Sequence, residues 1–259
     1  FYSVFSSMLQ IQLMESGNLM RLFCCDNLKW GSKQYFSIDD FTGLRRCVEG
    51  DEIQGILHLD DFDSQTEQYL IDKKIPTLKI GSMLYPDGVR IDSLSVMREA
   101  LRKIHFIGVR RPGVIITHFL LECLEKEFRK VSSELWKNSA SFPVFSGYNA
   151  SDGERIMQEF MALPPEQRPD GLLIMDDIIG GAVAAELAGV LPPETMPAAV
   201  ILRNLQLGIP FPFRRKFFYD IDLKELAFIA TTLINKAMKT GGLERVCVSY
   251  LPKLHCENK

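Results

Sequence analysis

The sequence predicts an α/β protein with two lobes, each built on a parallel β-sheet. Short apolar runs bounded by Gly, Pro or Asp alternate with segments that have the apolar spacing of helices. Regular alternation of this kind places parallel strands in sheets that helices cover on both faces. The repeats over 259 residues are too many for one small sheet. Two sheets therefore fit better than the main competing architecture, a closed barrel of strands and helices.

The first half of the chain begins with a predicted helix. Val4, Met8 and Ile11 recur at helical spacing, and Gly17 supplies a stop. Asp92 is placed to cap a later helix, because its carboxylate can accept hydrogen bonds from the first free N–H groups. Further helices are predicted over 38–48 and 64–72, and strands over 19–25, 55–59, 75–80 and 113–117.

The second half continues the same alternation to the end of the chain. Gly180-Gly181 lies inside a helix pattern without the neighbours that a nucleotide-binding loop requires. We therefore expect close packing of that helix on a sheet, and no cofactor. The last helix is predicted to start at Asp222, where a capping-box pattern occurs. Helices are also predicted over 120–135, 153–161 and 178–187, and strands over 142–145, 171–175, 198–202 and 245–251.

Composition and charge argue against several classes of function and indicate the cellular compartment. The formal net charge of -3 gives no overall basic field, which argues against DNA contact through these residues. Apolar runs such as 171–175 fall far short of the roughly 20 residues that a membrane span needs. No secretory signal is visible at the start of the chain. These features predict a cytoplasmic protein with no membrane partner.

The cysteines and histidines favour no metal or disulfide framework. The six cysteines are scattered with no Cys-x-x-Cys pair, which favours reduced, buried thiols. The four histidines lack the spacing of zinc ligands, so no metal site is expected.

No catalytic constellation can be named, so we expect a protein that is not an enzyme. The sequence has no Gly-x-Ser-x-Gly elbow around a nucleophile. Carboxylate pairs occur at Asp60-Asp61 and Asp176-Asp177, but glycosidase chemistry needs two acids that face each other across a cleft. Asp177 is interpreted instead as a helix cap.

Polar side chains are concentrated where the predicted strands end. In open α/β sheets ligands bind beyond the carboxyl ends of the strands. Carboxylates, amides and an aromatic ring suit a polyhydroxylated ligand, because hydroxyl groups bond to the polar groups and the apolar face of a sugar stacks on the ring. Polar residues also gather in loops for other reasons. The candidate ligand-binding residues here are Asp26, Asp60, His118, Tyr148, Asp176, Arg203 and Asn204.

Four stretches in order along the chain resemble the LacI/GalR family of bacterial transcription regulators. The run Ile75-Pro76 to Ile80, followed by the Val-x-x-Asp motif that ends at Asp92, is similar to the family's strand and helix start. Asp170-Gly171 leads to Asp176-Asp177 in a second similar segment. The other two stretches are 1–17 and 222–233, and together the four span nearly the whole chain.

The resemblance implies two Rossmann-like lobes joined by three crossovers, with the effector in a cleft between them. We place the crossovers near 106–110, 211–213 and 240–243. The N-terminal lobe would then comprise 1–107 and 213–240, and the C-terminal lobe 108–212 and 241–259. A DNA-binding headpiece and the first strand would precede Phe1, where the sequence starts without Met.

Only some of the family's ligand-binding positions carry the expected residue in this sequence. Asp92 matches an acid in the family's cleft, and Tyr148 lies near an aromatic position. Asp176 stands where Asn is usual, and Arg203 stands where an Asp usually binds sugar hydroxyls, with Asn204 beside it. Guanidinium only donates hydrogen bonds. Arg203 therefore indicates either an acidic ligand such as a uronate or a site no longer used. The Arg that usually begins the helix near Leu121 is missing.

The resemblance implies a sugar-responsive regulator core that binds a small-molecule effector, assembles as a homodimer and reaches operator DNA through the headpiece. The effector would close the lobes and change the headpiece spacing on DNA. Exposed apolar residues on the first and third helices are candidates for the dimer contact. The alternatives are a periplasmic solute-binding protein of a sugar transporter and an enzyme on the same architecture.

Overall fold

The computed structural model describes residues 2–25, 35–59, 61–81, 88–137, 141–241 and 247–255. Two predicted site residues, Asp26 and Asp60, lie outside the described residues. The helices are α1 Tyr2–Glu15, α2 Leu44–Glu49, α3 Ser64–Asp72, α4 Ser93–Phe106, α5 Leu121–Leu135, α6 Gly153–Ala162, α7 Asp177–Val190 and α8 Leu223–Thr240. The strands are β1 Ile56–His58, β2 Thr77–Gly81, β3 Gly88–Ile91, β4 Pro112–Thr117, β5 Val144–Gly147, β6 Gly171–Ile174, β7 Ala198–Asn204, β8 Lys216–Ile221, β9 Cys247–Tyr250 and β10 Lys253–His255.

The described strands form two separate sheets, which confirms the predicted fold class and excludes a closed barrel. A four-stranded sheet has the order β1-β2-β3-β9, and all of its pairs are parallel. A six-stranded sheet has the order β10-β8-β7-β6-β4-β5, in which only β10 is antiparallel. The chain divides into two compact units around these sheets. Among the described helices, none is long and apolar enough to cross a membrane.

The first unit comprises Phe1–Ile91 and Leu223–Tyr250. Leu78 and Ile80 of β2 are 2% exposed, as expected for a strand covered on both faces. The predicted strand over 19–25 is absent, because the segment forms no ladder and only Cys25 bridges to Phe41. Backbone groups in a strand need a partner strand, and this segment has none among the described residues. Its Leu19 is 94% exposed.

The second unit comprises Asp92–Asp222 and Leu251–Lys259. Its boundaries differ from the predicted ones at each crossing. Helix α4, expected in the N-terminal lobe, packs on α5, β6 and β7 of this unit. Strand β8 pairs with β7 here, whereas β9, expected in the C-terminal lobe, pairs with β3 of the first unit. The bounds of the two compact units thus differ from those of the predicted lobes, since sheet pairing and helix packing are not contained in local sequence pattern.

The prediction that the cysteines are buried is only partly correct. Cys47 is buried, as predicted, but Cys24 and Cys247 are exposed. Cys24 belongs to the segment that does not form its predicted strand, which explains its exposure.

Glycines in α7 allow the helix to lie close to the six-stranded sheet, as predicted. A Cβ atom at Gly180 would lie 2.1 Å from Cγ2 of Ile174 on β6, closer than any real contact. Ile174 is fully buried, so it cannot move aside without disturbing the core around it.

Replacing Gly180 with alanine is expected to lower the free energy of unfolding by about 1–3 kcal/mol, the cost of overpacking a core. Gly189→Ala in the same helix is the matched control, because nothing lies within 4 Å of the added atom. The control should raise stability by up to about 1 kcal/mol, since alanine favours helices. Urea unfolding of both variants measures the difference. Equal stability of the two would contradict the close contact at Gly180.

Candidate functional site

The carboxyl ends of five parallel strands meet at one edge of the six-stranded sheet, which we call the carboxyl edge. Strands β8, β7, β6, β4 and β5 are neighbours in that order. Ligands of open α/β sheets bind beyond such an edge. The structure brings five of the sequence-predicted residues to or within two residues of these strand ends: His118, Tyr148, Asp176, Arg203 and Asn204.

Asp92 lies toward the same edge. It is the N-cap of α4, and its Oδ1 accepts a hydrogen bond of 3.1 Å from the Ser95 N–H, which confirms the predicted cap. Helix α4 ends at Phe106, shortly before β4 begins at the opposite edge, so its first turn lies near the carboxyl edge. The remaining oxygen of Asp92 makes no hydrogen bond within the described part of the chain.

Three aromatic rings form an exposed cluster at the ends of β4 and β5. The His118 ring centroid lies 4.4 Å from that of Tyr148, at an interplanar angle of 39°. Phe119 meets the Tyr148 ring edge-on at 5.7 Å. Tyr148 is 41% exposed and Phe119 is 52% exposed. Phe119 was missed by sequence reasoning, although it follows a predicted strand end by two residues.

Asp176 is fixed at the end of β6 by the start of α7. Its Oδ1 accepts hydrogen bonds of 3.0 Å from the N–H groups of Ile178 and Ile179. Burial raises the pKa of the Asp176 carboxyl, and these two hydrogen bonds oppose that rise. The second oxygen, Oδ2, accepts no hydrogen bond from any described residue. It is therefore free to accept one from a ligand hydroxyl.

Asp177 ties the start of α7 to the end of β7 and is not the helix cap that the sequence suggested. The cap is Asp176, whereas Asp177 accepts 2.7 Å and 2.9 Å hydrogen bonds from the backbone N–H and side-chain Nδ2 of Asn204. Asp177 is only 3% exposed. Burial raises its pKa to about 6, and the bonds from Asn204 limit the rise. The Oδ1 atom of Asn204 is buried and has no hydrogen-bond partner among the described residues.

Arg203 forms an ion pair within the sheet. Its Nε lies 2.6 Å from Oδ1 of Asp220, the residue opposite it on β8, and its Nη2 lies 3.3 Å from Oδ2. The guanidinium also stacks 3.7 Å above the Phe218 ring. Its charge is therefore balanced by Asp220, so the site gains no free cation from Arg203 for a uronate. Asp220 was missed, although a charge inside the apolar run 217–221 is the signal that could have found it.

The site combines aromatic faces with carboxylates and amides. Tyr148 offers a partly exposed aromatic ring, Asp176 and Asp92 offer oxygen acceptors, and Asn204 is held in place by Asp177. Such groups bind hydroxyl-rich ligands through hydrogen bonds and stacking.

Two units built on parallel sheets define the class of periplasmic-binding-protein-like α/β proteins. No known family model and no curated protein sequence matches this chain. Solved structures do match, and several of them are LacI-family transcription regulators. The chain therefore has the fold of the LacI-family regulators.

Three of these structures illustrate the similarity. The Cra dual regulator of Pseudomonas putida, in complex with fructose 1-phosphate, matches with a TM-score of 0.76 and 15% identity over 100% of this chain and 94% of its own. A LacI-family regulator of Arthrobacter, in complex with lactose, has a TM-score of 0.73 and 15% identity over 98% and 92%. The CcpA regulator of Lactococcus lactis has a TM-score of 0.72 and 14% identity over 99% and 93%.

Proposed function

We propose that this chain is the carbohydrate-sensing core of a transcription regulator. The observation that carries the proposal is the carboxyl edge, where Tyr148 and its neighbouring rings lie on the same edge as the unpaired Oδ2 of Asp176. The sugar complexes of structurally similar regulators support the same ligand class. We propose binding without turnover, since the sequence contains no Gly-x-Ser-x-Gly elbow around a nucleophile.

In this proposal each residue has a defined role toward a sugar. Tyr148 stacks on the apolar face of the ring, while His118 and Phe119 hold the phenol ring in place. Asp176 Oδ2 and Asp92 accept hydrogen bonds from hydroxyl groups. Asp177 orients Asn204 without contacting the ligand, because its side chain is only 3% exposed.

Regulation would follow from population shift. A sugar that binds one arrangement of the two units better than another favours that arrangement, and a coupled DNA-binding headpiece would change its operator affinity. We propose a cytoplasmic homodimer as the working form. Ile11 and Met14 of α1 and Ile71 of α3 are more than half exposed, which supports these helices as the dimer contact.

A thermal-shift screen of neutral sugars, sugar phosphates and uronates tests the ligand class. A ligand that binds only the native state raises the melting temperature. Tyr148→Ala is expected to weaken binding of the sugar found by about tenfold or more, since stacked aromatic contacts contribute about 1 kcal/mol beyond area burial. Asp176→Ala should also weaken it, because removal of an acceptor leaves a hydroxyl unpaired.

Phe228→Ala is the matched control for Tyr148→Ala. Phe228 is also an exposed aromatic residue, but it lies on α8 of the first unit. Its variant should retain the full thermal shift. If no carbohydrate stabilises the protein, or if both site variants keep the wild-type shift, the proposed function is wrong.

A further inference from the structure

The amino edge of the six-stranded sheet, opposite the carboxyl edge, carries a concentration of basic side chains. The register aligns the starts of β4, β6, β7 and β8 at this edge. The last turn of α4 lies over the start of β8, because Lys103 Nζ is 4.6 Å from the Phe217 ring centroid and Arg215 donates a 3.0 Å hydrogen bond to the Ile107 carbonyl. The basic residues at this edge are Arg102, Lys103, Arg110, Arg111, Arg168, Arg214, Arg215 and Lys216.

Three of these guanidinium groups, on Arg102, Arg110 and Arg214, make no ion pair with any described residue. All three side chains are exposed. Several arginines elsewhere are paired: Arg45, Arg98, Arg129, Arg155 and Arg203 each lie within 2.5–3.1 Å of a carboxylate oxygen. The guanidinium groups of Arg102, Arg110 and Arg214 are therefore available to bind an anion.

The nearby carboxylates are not paired with these three guanidinium groups. Asp170 already accepts backbone hydrogen bonds of 3.1 Å and 2.7 Å from the N–H groups of Arg110 and Arg111. Glu166 and Glu194 lie on exposed turns that lead to β6 and β7. None of these three carboxylates forms an ion pair with Arg102, Arg110 or Arg214 within the described ranges.

An exposed aromatic ring lies among the unpaired arginines. Phe106, the last residue of α4, is 84% exposed, although large apolar side chains are usually covered. It lies between Arg102 and Arg110 in the chain, next to Ile107, whose carbonyl binds Arg215. Arginine and aromatic residues are the types enriched in protein interfaces and their hot spots.

We propose that this amino-edge patch, defined by Arg102, Phe106, Arg110, Arg214 and Arg215, docks an acidic segment of a partner protein. Carboxylates of the segment pair with the free guanidinium groups, and an apolar side chain of the segment covers Phe106. A short acidic segment fits better than a nucleic acid. The net charge of -3 repels a dense polyanion more strongly than a few carboxylates, and one ring offers little for stacked bases.

Fluorescence anisotropy with a labelled peptide tests this docking site in the intact chain. The probe is a short peptide in which glutamates flank two leucines, and its counterpart carries glutamine at every glutamate position. The glutamate peptide should bind at low ionic strength and weaken as salt is added, whereas the glutamine peptide should not bind. The absence of binding by the glutamate peptide, or equal binding by both, would overturn the proposal.

Matched variants then locate the site. The triple variant Arg102→Gln, Arg110→Gln and Arg214→Gln should bind the probe roughly tenfold more weakly, since it loses three exposed ion pairs with the peptide. The control triple Arg46→Gln, Lys126→Gln and Lys236→Gln removes the same charge from exposed positions elsewhere and should bind as the wild type does. Equal loss in both triple variants would show a general charge effect and overturn the assignment.

Further measurements distinguish an acidic peptide from two other possible ligands of this patch, which are DNA and a second copy of the chain. Phe106→Ser should weaken binding of the glutamate peptide. It should not lower the melting temperature of the protein, because the ring is already exposed. A duplex DNA oligonucleotide that binds this edge more tightly than the peptide would assign it to nucleic acid and contradict the proposal. Loss of self-association in the arginine triple variant, measured by sedimentation, would assign it to a second copy of the chain and contradict it too.

Discussion

Replacing Arg203 with leucine is expected to lower the free energy of unfolding by about 3–5 kcal/mol, the cost of breaking a buried ion pair from one side. The side chains of Arg203 and Asp220 are only 18% and 12% exposed. Removal of the guanidinium leaves the Asp220 carboxylate with little water and without its cross-strand partner. It also removes the cation that stacks on Phe218.

The double variant Arg203→Leu with Asp220→Leu separates this cost from lost packing. Replacing both members of a buried pair with apolar side chains is often close to neutral. The double variant should therefore recover most of the stability lost in the single variant. Urea unfolding of the wild type, both single variants and the double variant measures the coupling between the two sites.

Little loss of stability in the Arg203 single variant would contradict this pairing. Arg203 would then be free to bind a ligand, as its position in the resemblance suggested, and an acidic sugar would become the expected effector. The uronates in the thermal-shift screen would then test that ligand class.

Asp177→Asn is expected to stabilise the protein at neutral pH. The pKa of Asp177 rises from 3.8 to about 6 on folding because of burial, which corresponds to a cost on the order of 3 kcal/mol for the charged form above pH 6. The native state binds a proton more tightly than the unfolded state does. Acidification from pH 7 toward pH 4 therefore removes this cost, and a rise in pH restores it.

An asparagine at position 177 has no such titration. Its amide can also donate to Oδ1 of Asn204, the buried atom that lacks a hydrogen-bond partner, if the Asn204 amide turns over. The advantage of the variant over the wild type should be largest near pH 7 and disappear near pH 4. Chemical unfolding at several pH values measures the difference.

Asp152→Asn is the control, because the pKa of Asp152 is shifted in the opposite direction to that of Asp177. Backbone hydrogen bonds from Tyr148, and then the Arg155 side chain, hold the pKa of Asp152 below its usual value. This carboxylate stabilises the native state above the unfolded pKa, and the contribution is lost as the pH falls. Its variant should therefore be less stable than the wild type at neutral pH, with the difference fading in acid. A pH-independent difference for Asp177→Asn would show that its charge is not the cause.

Sequence reasoning placed three of the candidate residues at strand ends, and the structure has them there. His118, Tyr148 and Asp176 each come within two residues of the end of a strand, and parallel strand ends meet at one edge. It missed the partners of these residues. Asp220 lies 17 positions from Arg203, and Asn204 lies 27 positions from Asp177, and their pairing depends on strand register. Strand register cannot be predicted from the spacing of residues along the chain.

The amino acid sequence by itself determined the alternation of strands and helices, the parallel sheets, the cap at Asp92 and the close approach at Gly180. Each of these follows from local periodicity or from the size of one side chain. Only the tertiary structure decided which sheet contains β8, which sheet contains β9, and against which unit α4 packs. It also decided that Arg203 pairs with Asp220 and that 19–25 forms no strand of either sheet. These features depend on contacts between distant segments, where a hydrogen-bond ladder or a buried charge needs a partner that local pattern does not specify.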